Sequence, residues 1–600
     1  MKKLLFTLSL MFVAASTWAA KANPEPATIT QSDGTRLTVL AFGDEDFHWY
    51  TTTDGVLLSH IGFDYYVAAI DEQGNLQPTG QLAHESGQRS RQETAIIAMQ
   101  APRKAAFSSR KNEVIQDIAT ARKIPVGNPS VPYFPHTGSP KALVILVQFS
   151  DLSFSVSDPV RSFNDYLNGE GALQDYGLRE DRNHGSVAQY FKDMSQGLFT
   201  PQFDVHGPVT LQKSWTYYGK NSGGRDQNTD ALVKEACQVI ADTVDFSAYD
   251  SDGDGRVDLV YVIYAGYAES ISGNSSDCIW PKSGTMSGGT YNGISVSRYG
   301  INNELNYNPN REFKEGPNKR INGIGLFCHE FSHTLGLPDM YPTTASAMAV
   351  DNQTMEYWDL MDSGEYTDNG YTPTPYTPWE REVMEWTELE ELTDTAQLVI
   401  AEEQFYKISS EDGTEQVILQ NIQNNGWFSM LLSHGLIAYH VDYTNANGQP
   451  RTSVNLSDYP NNTAGKPGMT IFPADSLIIN FYRVYDSESD KSDATPYSLI
   501  EWQYSHIGDL YPGSSNVTEI RQFQLNRSVL DRPIYNITEK DGLITLDYLK
   551  DFVAAGIEAP VEASAGNQPN AVFDLSGRRV AGASLPKGIY INNGKKFVVK

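Results

Sequence analysis

The sequence predicts a multidomain α+β protein: a central mixed α/β domain, a small β-rich region before it, a β-sandwich-like module after it, and a short β tail. Three observations carry this prediction. The chain has 600 residues, more than one hydrophobic core usually serves. Between about Ala142 and Trp386, continuous apolar runs alternate with segments of helical period. Beyond Trp386 the pattern changes to short strands separated by Gly, Asn and Asp turns.

Taken in order, Met1-Lys2-Lys3 and the apolar run Leu4–Ala15 have the layout of a secretory signal peptide, assigned here to 1–22, with Ala19, Ala20 and Ala22 as candidate cleavage positions. The run is short for a membrane span, and no later stretch is long and apolar enough for one. Residues 23–100 read as strands, including Thr35–Leu40 and Tyr65–Val67, with a turn at Asp54-Gly55. Residues 101–130 are basic and punctuated by Pro and Gly, as expected of an exposed linker open to proteolytic nicking.

The central domain, 131–395, opens on the apolar run Lys141–Phe149, which reads as a buried central strand. Ser186–Met194 and Thr229–Val244 follow as amphipathic helices, and Leu259–Tyr264 as a strand. In the β-rich module, 396–552, strands are expected at Gln416–Leu419, Gly435–Asp442 and within Pro533–Leu546. A second linker, 553–570, leads to the tail, 571–600.

Acidic residues outnumber basic ones by 74 to 45, for a net charge of −29, which argues against nucleic acid as a partner. Only Cys237, Cys278 and Cys328 occur, so no disulfide framework holds the chain together. Cys328 is expected to be a buried small apolar residue.

The chemistry concentrates in Phe327-Cys328-His329-Glu330-Phe331-Ser332-His333-Thr334-Leu335-Gly336-Leu337-Pro338-Asp339. On a helix, His329 and His333 share one face and can grip one Zn²⁺, with Glu330 beside it as general base. Gly336 allows the helix to end in a left-handed turn, Pro338 stops it from resuming, and Asp339 can return as a third ligand. Three ligands and one open position make a hydrolytic site. The alternative is a surface helix that happens to carry two histidines.

Asp250-Ser251-Asp252-Gly253-Asp254-Gly255-Arg256-Val257-Asp258 is the second constellation. Asp250, Asp252, Asp254 and Asp258, with the Arg256 carbonyl, match the first part of an EF-hand-type calcium loop. Position 12 is Tyr261 and a strand follows, so a complete EF-hand is excluded; a metal-free Asp/Gly turn remains the other reading. His184, His206, His434 and His440 stand in no ligand spacing and receive no role.

The zinc stretch follows the metzincin offsets with Asp339 in place of the third His. Trp358-Asp359-Leu360-Met361-Asp362-Ser363-Gly364 looks like a Met-turn, with Met361 beneath the metal, so the fold is expected to be a metzincin-like α/β zinc-protease domain. Together with the acidic loop and the β-rich leader, these motifs resemble the immune inhibitor A-type (M6 family) secreted metalloproteases over about Ala142–Tyr548.

That resemblance implies a zinc endopeptidase acting on extracellular proteins or peptides, with Ca²⁺ as a second cofactor and residues 23–100 as a pro-region. Asp44, Glu45 or Asp46 could cap the zinc in a latent form, and Tyr366 is the tyrosine nearest the Met-turn for transition-state donation. The tail resembles sorting domains of exported Bacteroidetes proteins, which implies export machinery as a partner and a secreted or cell-surface location. A surface binding protein or adhesin with a non-catalytic protease-like fold is the alternative, and a zinc hydrolase of non-peptide amides a third reading.

Overall fold

In a computed structural model of the full chain, the described residues are 21–23, 26–44, 47–110, 133–170, 183–222, 225–271, 275–286, 288–306, 320–442, 444, 460–485 and 491–553, together with several strand backbones outside these ranges. One such backbone, β1 (Thr17–Ala19), falls inside the expected leader and yet joins the central sheet. The rest of the expected leader before Lys21, linker residues 111–130 and most of 553–570 lie outside the described residues.

The amino-terminal region is a six-stranded antiparallel meander of β2 (Ala27–Thr30), β3 (Arg36–Gly43), β4 (His48–Thr52), β5 (Leu57–Ile61), β6 (Asp64–Ile70) and β7 (Leu76–Leu82). Alternate residues of β3 and β6 face its core: Leu37, Val39, Tyr65 and Val67 are fully buried. A helix, α1 (Arg91–Gln100), closes this β-rich region. Ser90 caps it by accepting from Glu93 N, and no Gly or Pro interrupts it. Helical structure continues over 101–110, so the expected linker begins with ordered chain; buried Phe107 packs edge-on against Trp49.

The central sheet is built from β8 (Lys141–Gln148), β9 (Gln202–Thr210), β10 (Val260–Tyr267), β11 (Lys282–Thr285) and β12 (Arg298–Leu305). Its order is β1-β11-β12-β10-β8-β9. Strands β9, β8, β10 and β12 run parallel, whereas β11 is antiparallel to β12 and β1 is antiparallel to β11. Six consecutive residues of β8, Ala142–Val147, are fully buried because both faces of the sheet are covered. Leu143, Ile145 and Val147 face α4 (below), and Ala142, Val144 and Leu146 face the opposite layer.

That opposite layer holds α2 (Pro159–Asn168), α3 (Val187–Met194) and, later in the chain, the motif helix; α4 (Thr229–Ile240) covers the first face. Ser186 caps α3, whose buried residues are Val187, Tyr190, Phe191 and Met194, the stripe expected from its period. Cys237, Cys278 and Cys328 are free and buried.

The carboxy-terminal module has a five-stranded sheet, β13 (Glu390–Glu391), β15 (Phe405–Ser409), β16 (Glu415–Ile422), β17 (Gly435–Asp442) and β18 (Met469–Ile471). A three-stranded sheet of β14 (Ala396–Ile400), β20 (Leu543–Tyr548) and β19 (Ile534–Lys540) packs on one face of it. Leu436 and Ala438 join the core between these sheets, while Ile437, Tyr439 and Val441 join the core of the central domain. The five-stranded sheet is therefore buried on both faces. In the tail, only strand backbones between Val572 and Val599 are described.

Candidate metal centre

The helix α5 (Ile324–Leu335) carries the HExxH stretch and is buried along its whole length. An aromatic layer holds it on the sheet: Phe327 stacks on Tyr261 of β10 at 3.9 Å between ring centroids, and Phe331 packs edge-on against Phe134, Phe191 and Phe203. The helix ends at Gly336, whose φ of 108° is a left-handed conformation that a side chain would resist. Gly336 N donates to His333 O (3.1 Å) and Leu337 N to Ser332 O (3.2 Å), and the turned chain delivers Asp339 to the helix face.

His329, His333 and Asp339 each offer a ligand atom within 4.8 Å of the others, and all three are buried. Their geometry is tight. The two Nε2 atoms are 3.2 Å apart, and Asp339 Oδ1 lies 3.2 Å from His329 Nε2 and 3.3 Å from His333 Nε2. Each Nδ1 faces a backbone carbonyl, His329 toward Leu360 O (3.0 Å) and His333 toward Leu337 O (2.8 Å), which fixes both Nε2 atoms inward as ligands. No backbone amide or hydroxyl among the described residues donates to either Asp339 oxygen. A buried carboxylate facing only two imidazoles fits a divalent cation, and the N,N,O donor set suits zinc.

The electrostatics agree with that fit. Against the upward push of burial, His333 and His329 hold the Asp339 carboxyl well below the usual range. Against the downward push of burial, Glu365 and Asp339 raise His329 to about 10, while burial lowers His333. The set draws positive charge to its centre.

Glu330 is fully buried, and with the burial of Tyr261 and Tyr366 its charge pushes both phenols well above their ordinary range. Leu360 and Met361 stand in the loop expected as the floor: Met361 is fully buried, its N donates to Asp359 Oδ1 at 2.8 Å, and its carbonyl accepts from Met340 N at 2.8 Å. Gly325 of α5 lets this floor close on the helix, since a Cβ there would stand 2.0 Å from Glu365 O.

Sequence reasoning missed three residues here. Glu365 is buried 4.0 Å from His329 Nδ1, and burial, with Asp339 and Asp362 adding, pushes its carboxyl up to about 8. Lys21 and Glu356 meet beside the floor, joined through Asp362. Proximity to Met361 could have flagged Glu356 and Glu365, but nothing local marks Lys21. Tyr366 Oη donates to Lys21 O (2.7 Å). Asp44, considered as a cap for the metal, instead accepts from Phe47 N (3.1 Å) in a turn, and Glu45 and Asp46 lie outside the described residues.

The acidic loop is built as a turn. Asp250, Asp252 and Asp254 bring ligand oxygens within 4.8 Å of one another. Gly255, with φ of 85°, supplies the sharp bend, and Gly255 N donates to Asp250 Oδ2 (2.9 Å). Asp258 is not in this cluster; its Oδ2 accepts from Ser251 N (3.1 Å). Arg256 N donates to Asp254 Oδ1 (2.9 Å).

Residues 131–388 match the family model of the immune inhibitor A peptidase M6 catalytic domain. The chain is 24% identical over 276 residues to a pre-pro-metalloprotease PrtV of Vibrio cholerae serotype O1, covering 41% of this chain and 29% of that protein. It is 24% identical over 289 residues to an immune inhibitor A of Bacillus thuringiensis subsp. alesti, covering 41% of this chain and 40% of that protein. The match spans less than half the length of either relative. The buried His329–His333–Asp339 set lies within the residues that match the catalytic domain of the immune inhibitor A peptidase M6 family.

Proposed function

We propose that this chain is an exported zinc endopeptidase that hydrolyses peptide bonds of extracellular proteins. The reading rests on one observation above the others: three buried ligand atoms from His329, His333 and Asp339 converge within a peptidase M6 catalytic domain. A zinc ion held there supplies Lewis-acid polarisation of a water and of the scissile carbonyl. Glu330 takes the proton of the attacking water and hands it to the leaving amine. Tyr366 stays protonated, because burial with Glu365 and Glu330 raises its phenol, so it can donate to a substrate carbonyl. Leu360 O and Leu337 O keep both imidazoles in the tautomer that leaves Nε2 for the metal.

Asp250, Asp252 and Asp254 form a second, calcium-binding loop in this reading, with the Arg256 carbonyl and Asp258 close by. The amino-terminal leader directs export, 23–100 acts as a pro-region, and 571–600 as a sorting tail. Casein hydrolysis by the processed chain, with and without a zinc chelator and beside Glu330→Ala, tests the proposal. Chelator-sensitive hydrolysis lost in the variant supports it. No zinc and no hydrolysis would transfer the fold to a binding protein.

A further inference from the structure

The backbone just before Lys21 forms the edge of the central sheet. β1 pairs antiparallel with β11, Thr17 opposite Gly284, Trp18 opposite Ser283 and Ala19 opposite Lys282, and α5 lies against it. Addition of an extended strand to a sheet edge holds a peptide through its main chain and leaves side-chain pockets to discriminate. Further along the same ribbon, Tyr366 donates to the Lys21 carbonyl and Asn23 N donates to Ser270 O at 3.1 Å.

The Lys21 side chain turns into the protein and is 2% exposed. Its Nζ donates to Asp362 Oδ1 (3.1 Å) and Ser363 Oγ (3.2 Å) and stands 3.8 Å from Glu356 Oε2. The rings of Tyr341 and Tyr482 lie 5.6 and 5.5 Å from it. Asp362 and Ser363 directly follow Met361, so this pocket adjoins the floor of the metal centre.

The anion is built in advance. Asp362 Oδ2 accepts from Thr354 Oγ1 (2.5 Å), Met355 N (3.0 Å) and Glu356 N (2.9 Å). Glu356 Oε1 accepts from Phe481 N (2.9 Å). Among the described residues, Lys21 is the only cation paired with either carboxylate. Two buried carboxylates that lose their counterion demand another. An incoming lysine or arginine supplies it.

We propose that Asp362, Glu356 and Ser363 form a specificity pocket for a lysine or arginine side chain of a peptide added antiparallel to β11, and that Lys21 fills it as the chain's own stand-in substrate. The inference rests on the endopeptidase reading above and names its substrate class. Signal cleavage at Ala19 or Ala20 would leave Lys21 in its pocket on the exported chain and take β1 off the edge of β11, which would free that edge for a peptide.

The test uses the full zinc-loaded chain, nicked between 104 and 131 by bead-bound trypsin that is then removed. Casein hydrolysis is followed beside quenched peptides identical but for one residue (Lys, Arg, norleucine or Glu), scanned across the scissile bond. At one position, kcat/KM for Lys and Arg should exceed norleucine at least tenfold and Glu at least a hundredfold, and Asp362→Asn should bring the Lys-to-norleucine ratio near one. In parallel, the nicked Glu330→Gln chain should bind the fluorescent Lys peptide at least tenfold more tightly than the norleucine peptide. The wild-type profile and this binding arm need no change in the pocket. Casein hydrolysis with no basic preference overturns the pocket and leaves the endopeptidase standing. If casein is untouched, the endopeptidase reading fails, and equal binding of the two peptides then overturns the pocket as well.

Discussion

At the residue scale, the metal centre is a division of labour among four side chains. His329 and His333 are fixed by backbone carbonyls and Asp339 by the turn at Gly336, whereas the proposed mechanism asks Glu330 to exchange a proton. Glu330→Gln keeps the shape and loses the base, so kcat should fall by about 10²–10⁴-fold while zinc content, measured by atomic absorption, stays near the wild-type value. Asp339→Ala should behave in the opposite way, with zinc lost on dialysis before any kinetic question arises. Retention of zinc by that variant would remove Asp339 from the ligand set. The two histidines and Glu330 are legible in the sequence because helical spacing alone puts His329 and His333 on one face. Lys21 is not legible, since its partners Glu356 and Asp362 lie more than 300 positions away and only the tertiary fold brings them together.

At the element scale, two features stand out. The floor loop and α5 approach so closely that only a glycine fits at 325. Gly325→Ala should destabilise the central domain by about 1–3 kcal/mol, read as a lower midpoint in thermal unfolding, because the Glu365 carbonyl is backbone and has little room to yield. The second feature is β17, buried on both faces. Leu436→Ala and Ile437→Ala should each cost about 2–5 kcal/mol in denaturant unfolding, although adjacent residues in a strand face opposite sides. A free-standing two-sheet module would tolerate one of them. The strand's bounds, Gly435–Asp442, follow from its apolar run, but which face meets the central domain does not, because an apolar run carries no record of what covers it.

At the scale of the whole molecule, the amino-terminal meander is joined to the central domain through polar and aromatic contacts. His48 Nε2 lies 3.2 Å from Glu269 Oε1, its Nδ1 faces Asp44 O at 3.2 Å, and its ring stacks on Trp280 at 4.6 Å. Asn221 donates to Glu269 Oε2, and Lys282 and Asp226 pair nearby at 2.8 Å. Against the downward push of burial, Glu269 and Asp44 raise His48 above its ordinary value of 6.5. Burial pushes the Glu269 carboxyl up, with His48 opposing. The signs agree. A raised imidazole contributes docking that is complete below 6.5 and lost as pH rises through its docked value, and a raised carboxyl also favours its protonated form in the docked state. In the nicked chain, the amino-terminal region should therefore stay bound in gel filtration at pH 5.5 and dissociate increasingly toward pH 9. His48→Gln should flatten this dependence.

By itself the sequence determined the local chemistry: the HExxH helix and its glycine stop, the Met361 floor, the acidic turn at 250–258, the buried run of β8 and the strand-rich regions on either side. Each is written in spacing or composition over fewer than about fifteen residues, the range over which helix period, strand alternation and turn preference act. Only the tertiary structure decided that the residues near 17–23 run along the edge of the central sheet and that Lys21 meets Asp362. It also decided that Asp258 accepts from Ser251 N beside the Asp250–Asp252–Asp254 cluster and that the five-stranded sheet is covered on both faces. These are contacts between distant segments, set by which surfaces remain to be buried once the local elements exist, and no short window of sequence records them.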